Sequence, residues 1–133
     1  MDQVVLDTSS WVEVEKKRLD IRIFSDNKFQ IILPAIVIGE LKYSAWVENR
    51  SNQQLQSSLD FIHWVESSCE FAPVDQAVAA RYAELKYFSR QQGRPRTDTD
   101  LLIAATAVEY KARLHSTDKK ADFGSMPNVL LFS

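Results

Sequence analysis

Short apolar runs alternate along the chain with longer stretches in which apolar residues recur every three or four positions, which predicts strands interleaved with helices. Val4-Val5-Leu6, ended by Asp7-Thr8-Ser9, reads as a fully buried strand closed by a polar turn, and a buried first strand suggests a parallel sheet. Ser9 or Ser10 is placed to cap a short helix through Trp11, Val12 and Val14, which ends in the basic cluster Lys16-Lys17-Arg18. Gln30-Ile31-Ile32-Leu33 repeats the strand pattern, and Pro34 opens a helix from about Ala35 to Val47. Leu55, Leu59, Ile62 and Val65 mark the next helix, Glu70 to Val74 a third strand, and Val78, Tyr82 and Leu85 a further helix. That helix should end before Gly93-Arg94-Pro95.

Thr97-Asp98-Thr99-Asp100 offers several N-caps for Leu101 to Val108, a run apolar nearly all the way round that must be buried on most sides. Arg113 to Ser116 and Val129 to Phe132 give two late strands. Alternating strands and helices imply an α/β sandwich, and with no internal repeat or linker the 133 residues read as one domain.

Composition narrows the chemistry. With only 3 Gly, far apart, neither a phosphate-cradling loop nor a dinucleotide fingerprint can be written. The single Cys69 can make no intrachain disulfide or zinc knuckle. His63 and His115 are the only imidazoles, so a metal held by several side chains must be held mainly by carboxylates, which favours Mg²⁺ or Mn²⁺ over Zn²⁺. The net charge of -2 argues against a broad basic surface but leaves room for a local one. No apolar run approaches the roughly 18 residues of a membrane span, and the N-terminus does not read as a signal sequence. The expectation is a cytoplasmic protein.

Four acids stand out. Asp7 follows a buried strand, at the edge where open parallel sheets place ligands; the plainer reading is a strand-ending turn. Glu40 lies among Ala35-Ile36-Val37-Ile38-Gly39 and shares a face with Ile36, so it needs a partner or a metal if buried, and Gly39 beside it would let another segment approach. The plainer reading is an edge-of-stripe surface pair. Asp100 starts the most apolar helix, where the helix dipole favours negative charge; it is either the N-cap or, if Thr97, Asp98 or Thr99 caps, free to bind something else. Asp118 follows a predicted strand and should emerge at the same edge as Asp7, with Asp122 as its rival. Acids gathered there would repel unless a divalent cation neutralised them, and such a site suits metal-assisted phosphodiester hydrolysis.

These segments together, Val4-Val5-Leu6-Asp7-Thr8-Ser9, Gly39-Glu40-Leu41, Asp100-Leu101-Leu102-Ile103-Ala104-Ala105-Thr106-Ala107 and Ser116-Thr117-Asp118 through Asp122-Phe123, resemble the PIN-domain ribonucleases. The resemblance is nearest to the VapC-type toxins of toxin-antitoxin modules and covers essentially the whole chain. It implies a three-layer α/β/α sandwich on a parallel sheet of four to five strands, with Asp7, Glu40 and Asp100 as the metal acids and Asp118 as a fourth, more variable one. Thr8 or Ser9 matches a hydroxyl supporting the first acid. An extra residue before Asp122-Phe123 departs from the usual pattern and leaves the fourth acid open between Asp118 and Asp122. The resemblance further implies an RNA substrate, homodimerisation and inhibition by a small cognate antitoxin.

Arg94 and Arg96, in the loop leading to Asp100, are candidate contacts for RNA phosphates; the Lys16-Lys17-Arg18 cluster reads as a solvated helix end. Tyr43, Trp46, Trp64, Tyr82 and Phe88 read as core or dimer-interface residues, Cys69 as a small buried one, and neither His63 nor His115 has an evident partner. Two other functions compete with the nuclease. An aspartyl-phosphate phosphatase would want a second Asp where Ser9 stands. A catalytically silent module of the same fold, binding RNA or protein, would need none of the three main acids.

Overall fold

The computed structural model describes residues 1–49 and 51–132. Five parallel strands, β1 (Gln3–Leu6), β2 (Gln30–Pro34), β3 (Glu70–Ala72), β4 (Arg113–His115) and β5 (Leu130–Leu131), form one sheet in the order β3-β2-β1-β4-β5. Six α-helices connect them: α1 (Thr8–Glu15), α2 (Arg22–Ser25), α3 (Ala35–Glu48), α4 (Asn52–Ser68), α5 (Gln76–Gln91) and α6 (Asp98–Glu109). The fold is the predicted α/β class with a parallel sheet of five strands.

The strand order explains where a site can form. From β1 the chain steps outward to β2 and β3, then returns across the sheet through α5 and α6 to β4 on the other side of β1. Right-handed crossovers turn that reversal into helical layers on both faces, and the β1/β4 boundary becomes the switch point at which strand C-termini part. Register sets the detail: Val5 lies opposite Leu114 and Leu6 opposite His115, so the residues leaving both strands, Asp7 and Ser116, emerge side by side.

The sheet is held by burial on both faces. Val4, Val5, Leu6, Ile32 and Leu114 are fully enclosed, with Trp11 and Phe24 from the first two helices. Truncating one such side chain to Ala costs about 2–5 kcal/mol, because the cavity left behind adds to the lost transfer energy. In α6, Leu101 and the run from Ile103 to Ala107 are buried, as a helix apolar on nearly every side requires, and α5 is the helix it packs against most extensively.

Several local expectations are revised. Strand β3 stops at Ala72, β4 at His115 and the last strand at Leu131, each short of its predicted end. The single helical turn α2 was not expected, being too short to show a periodicity. Tyr43 and Trp46 on α3 are 70% and 67% exposed, so neither is a core residue, and Trp64 is exposed as well. Cys69 is half-buried, and that burial pushes its thiol up to about 12, which leaves it unreactive.

Candidate metal centre at the end of the first strand

Asp7 is 4% exposed and does two jobs. It is the N-cap of α1, the role expected of Ser9 or Ser10: its Oδ1 accepts from the Ser10 backbone N–H at 2.9 Å. The strand-ending turn and the site acid were alternative readings of this residue; the cap is the turn role, and it leaves Oδ2 outside the capping bonds. The same Oδ1 accepts from Ser9 Oγ at 2.7 Å and Ser10 Oγ at 2.9 Å, while Oδ2 accepts from Ser116 Oγ at 2.5 Å. The serines are themselves anchored. Thr117 N–H donates to Ser9 Oγ at 3.1 Å, and Asp118 N–H donates to Ser116 Oγ at 3.0 Å. Ser10 Oγ lies 2.7 Å from His115 Nδ1. The imidazole is packed edge-on against Phe24, and burial holds it below its ordinary value, with Asp7 pulling the other way.

At the start of α6 the cap goes to Thr97, whose Oγ1 accepts from the Asp100 N–H at 3.1 Å. Asp98 is engaged elsewhere: its Oδ1 accepts from Tyr82 at 2.7 Å and from Lys86 at 3.0 Å, which ties α5 to the first turn of α6. Asp100 is thereby left as the acid of the cap segment that neither caps α6 nor pairs with α5, with Thr97 as its hydrogen-bond partner. Burial pushes its carboxyl above its ordinary value, and the negative charges of Asp118 and Asp7 push the same way against Thr97 and Arg96. The two charges reach Asp100 because Asp7 and Asp118 follow the adjacent strands β1 and β4.

Asp118 lies on the turn after β4, where its Oδ1 accepts from Lys120 N–H at 3.0 Å. With Asp100, Arg94, Arg96 and Lys120 it lines a cleft of about 330 Å³. The rival acid is placed otherwise. Asp122 takes a left-handed backbone conformation, φ +47°, and pairs with Arg94 at 2.9 Å. Arg96 reaches across to the same loop, donating to the Ala121 carbonyl and, at 2.5 Å, to Ser125 Oγ. Both arginines line the cleft, and their guanidinium groups also clamp the 121–125 loop.

Glu40 is half-buried on α3 and takes the hydroxyl of Thr8 as its partner. Gly39 beside it is exposed, and a Cβ built there would meet nothing within 4 Å, so no segment packs against it as was expected. Glu40 is thereby tied to Thr8, the residue next to Asp7. Among the described residues, no three His, Cys, Asp or Glu side chains converge on one point closely enough to hold a metal together.

Ser10, Ser116 and His115 were not singled out as site residues. Ser10 and Ser116 read in sequence as a helix cap and a strand end. His115 became recognisable as part of the arrangement only once the β1/β4 register placed it beside the first turn of α1. No helix among the described residues is long and apolar enough to cross a membrane.

Comparison with known proteins supplies the family. Three solved structures share the fold over nearly their whole length. A chain of VapBC2 from Rickettsia felis, crystallised bound to a DNA fragment from its promoter, matches with a TM-score of 0.81 at 27% identity, over 98% of this chain and 97% of that one. A chain of DNA-bound VapBC from Salmonella typhimurium matches with a TM-score of 0.84 at 21% identity, over 99% and 98%. VapBC-5 from Mycobacterium tuberculosis, a member of the VapBC family of toxin-antitoxin systems, matches with a TM-score of 0.75 at 21% identity, again over 99% and 98%. No curated protein matches the sequence. The PIN domain model matches residues 4–126, which takes in Asp7, Glu40, Asp100 and Asp118, and the chain belongs to the PIN domain family.

Proposed function

We propose that the protein is a Mg²⁺- or Mn²⁺-dependent endoribonuclease, the growth-inhibiting toxin of a toxin-antitoxin pair, acting in the cytoplasm as a homodimer held in check by a small antitoxin. The observation that carries this reading is that Asp100 and Asp118 line one cleft with Arg94, Arg96 and Lys120, and that Ser116 bonds both Asp7 and the turn bearing Asp118. Carboxylate oxygens suit a hard cation, and the cations bordering them suit the phosphates of a nucleic acid. The similar solved chains come from VapBC complexes, which supports an antitoxin partner.

The donor set fits Mg²⁺ or Mn²⁺. Its atoms are carboxylate oxygens, and Asp7 Oδ1 takes three donors while Oδ2 takes one, which leaves Oδ2 the better metal ligand. Mg²⁺ usually keeps several waters and takes only one or two carboxylates, so a site without three converging acids remains suitable. Asp7 and Asp100 would hold the cation directly, Glu40 through water from its place beside Thr8, and Asp118 would complete the site with substrate. Thr8 and Ser9 would keep Glu40 and Asp7 in place, and Arg94, Arg96 and Lys120 would receive phosphates. When bound, the cation supplies stabilisation of charge on the phosphodiester and lowers the pKa of a water nucleophile.

The test incubates purified protein with total RNA, with and without Mg²⁺ or Mn²⁺, beside Asp7→Asn and Asp100→Asn. Metal-dependent cleavage lost in both variants supports the nuclease. Cleavage unchanged in the variants traces to a contaminant, and RNA binding with no cleavage by the wild type supports the catalytically silent module.

A further inference from the structure

We infer that His115 is a positioning residue: its Nδ1–H donates to the Ser10 hydroxyl and keeps that hydroxyl's proton on Asp7 Oδ1, which leaves Oδ2 with the single donor Ser116. The inference rests on the metal-site reading above and concerns a residue that contacts neither metal nor substrate.

The geometry is a problem in allocating one proton. Ser10 Oγ has three polar neighbours: Asp7 Oδ1 at 2.9 Å, His115 Nδ1 at 2.7 Å and the His115 carbonyl at 3.0 Å. The carboxylate and the carbonyl can only accept, and the hydroxyl has a single proton to give. If it went to Nδ1, lone pairs of Oγ would face two acceptors at hydrogen-bond distance. If it went to the carbonyl, they would face a carboxylate oxygen at 2.9 Å. The remaining arrangement has Oγ–H donating to Asp7 and Nδ1–H donating to Oγ. It leaves only the carbonyl facing a lone pair, and that carbonyl already accepts the Asp7 backbone N–H at 3.1 Å. Nδ1 carries a proton in this arrangement whether the ring is neutral or charged, so the role does not depend on its titration.

Two further contacts hold the imidazole in place. Phe24 packs against it edge-on with centroids 5.2 Å apart, and Phe132 does so at 6.0 Å. The backbone of His115 is fixed by pairing opposite Leu6, one residue before Asp7. A ring whose position is set by the sheet thus aims a hydroxyl at the carboxylate that follows the neighbouring strand. With the Ser10 proton held on Oδ1, Asp7 keeps Oδ2 for the Ser116 hydroxyl and for the proposed cation. Without the imidazole N–H, Ser10 Oγ loses the donor that orients its lone pairs, and its bond to Oδ1 is held less firmly.

The experiment measures Mn²⁺ binding by titration calorimetry and RNA cleavage at saturating Mn²⁺ for the wild type, His115→Leu, His115→Asn, Ser10→Ala and the Ser10→Ala/His115→Leu pair. Circular dichroism and thermal midpoints identify any variant that misfolds. Removing a hydrogen-bond partner behind a metal ligand typically weakens affinity or activity by roughly ten- to hundredfold, and a loss of that order is expected for His115→Leu. His115→Asn places an N–H where Nδ1 stands and should recover most of it, a rescue that simple repacking would not give. In the Ser10→Ala background, His115→Leu should have no further effect. The ¹⁵N spectrum of the imidazole in the metal-free wild type should show Nδ1 protonated. An unprotonated Nδ1, wild-type Mn²⁺ affinity in a folded His115→Leu, no recovery with Asn, or additive losses in the pair would each overturn the inference. A wild type that binds no Mn²⁺ overturns the metal-site reading and this role with it, whereas a wild type that binds Mn²⁺ normally but does not cleave RNA overturns the nuclease reading alone.

Discussion

Ser116 Oγ donates to Asp7 Oδ2 at 2.5 Å, a bond that joins the ends of two adjacent strands across 109 residues of sequence. The same hydroxyl accepts the Asp118 N–H, so one side chain holds the proposed metal ligand and the turn bearing the fourth acid. Ser116→Ala should weaken Mn²⁺ binding by about tenfold, and Ser116→Thr should restore it. The stability cost should be only about 1 kcal/mol, the usual net worth of one such bond. Binding titrations beside denaturant unfolding of the three proteins check both, and equal Mn²⁺ affinity for all three would remove Ser116 from the site.

Asp100 leads to a prediction of opposite signs for activity and stability. Its carboxyl lies above its ordinary value in the folded protein because of burial first, then the charges of Asp118 and Asp7. The folded state therefore holds this proton more tightly than the unfolded state, and the residue destabilises the fold increasingly as pH rises through the ordinary carboxylate range to its raised folded value. Asp100→Asn should raise the thermal midpoint at neutral pH, and the gain should shrink as pH falls below the ordinary carboxylate range. Cleavage should drop by more than about a hundredfold. Adding Mg²⁺ should raise the wild-type midpoint and leave that of the variant nearly unchanged. Scanning calorimetry from acid to neutral pH, with and without Mg²⁺, decides; a variant less stable than wild type at neutral pH would refute the destabilisation by the Asp100 charge.

Glu40 and Thr8 separate holding from presence. Because the Thr8 hydroxyl donates to Glu40, Glu40→Gln keeps a carbonyl acceptor for it while removing the charge. Thr8→Val keeps the charge and removes the donor. If Glu40 serves the cation through water, Glu40→Gln should lower cleavage by about tenfold or more, and Thr8→Val should lower it less, with both proteins folded normally. The reverse order would mean that the hydroxyl, not the carboxylate, matters for the reaction.

Legibility in the sequence followed the physical range of each signal. The strands β1 and β2 and the helix α6 are written in dense local patterns, apolar runs for buried strands and an all-round apolar helix, and their positions were close to right. Asp7 and Asp100 were legible because each sits at a boundary that the pattern marks. What escaped depends on register. Nothing local to His115 or Ser116 says that Leu6 pairs with His115, and that pairing brings the imidazole to Ser10 and the Ser116 hydroxyl to Asp7. The exposure of Tyr43 and Trp46 escaped for a related reason: a helix with little polar contrast around its axis does not announce which side faces the sheet.

Arg94 and Arg96 are two residues apart in one loop and line one cleft, yet they should behave differently when removed. Arg96 donates to the Ala121 carbonyl and to Ser125 Oγ, and it is the less exposed of the two. Losing charge-assisted bonds of this kind costs about 1.5–3 kcal/mol, so Arg96→Ala should destabilise the fold and loosen the 121–125 loop. Arg94 forms a single pair with Asp122, and both side chains remain substantially open to solvent. Exposed pairs contribute about 0–1 kcal/mol, so Arg94→Ala should leave stability nearly unchanged. Its effect belongs to RNA. If Arg94 exchanges Asp122 for a phosphate, the variant should bind every RNA more weakly and its affinity should fall less steeply with salt, because one fewer counterion is released. Fluorescence titrations of a catalytically dead Asp7→Asn background with a labelled RNA, across a salt series, measure that slope. An unchanged slope for Arg94→Ala would confine Arg94 to the Asp122 contact and leave Lys120 as the cation to examine next.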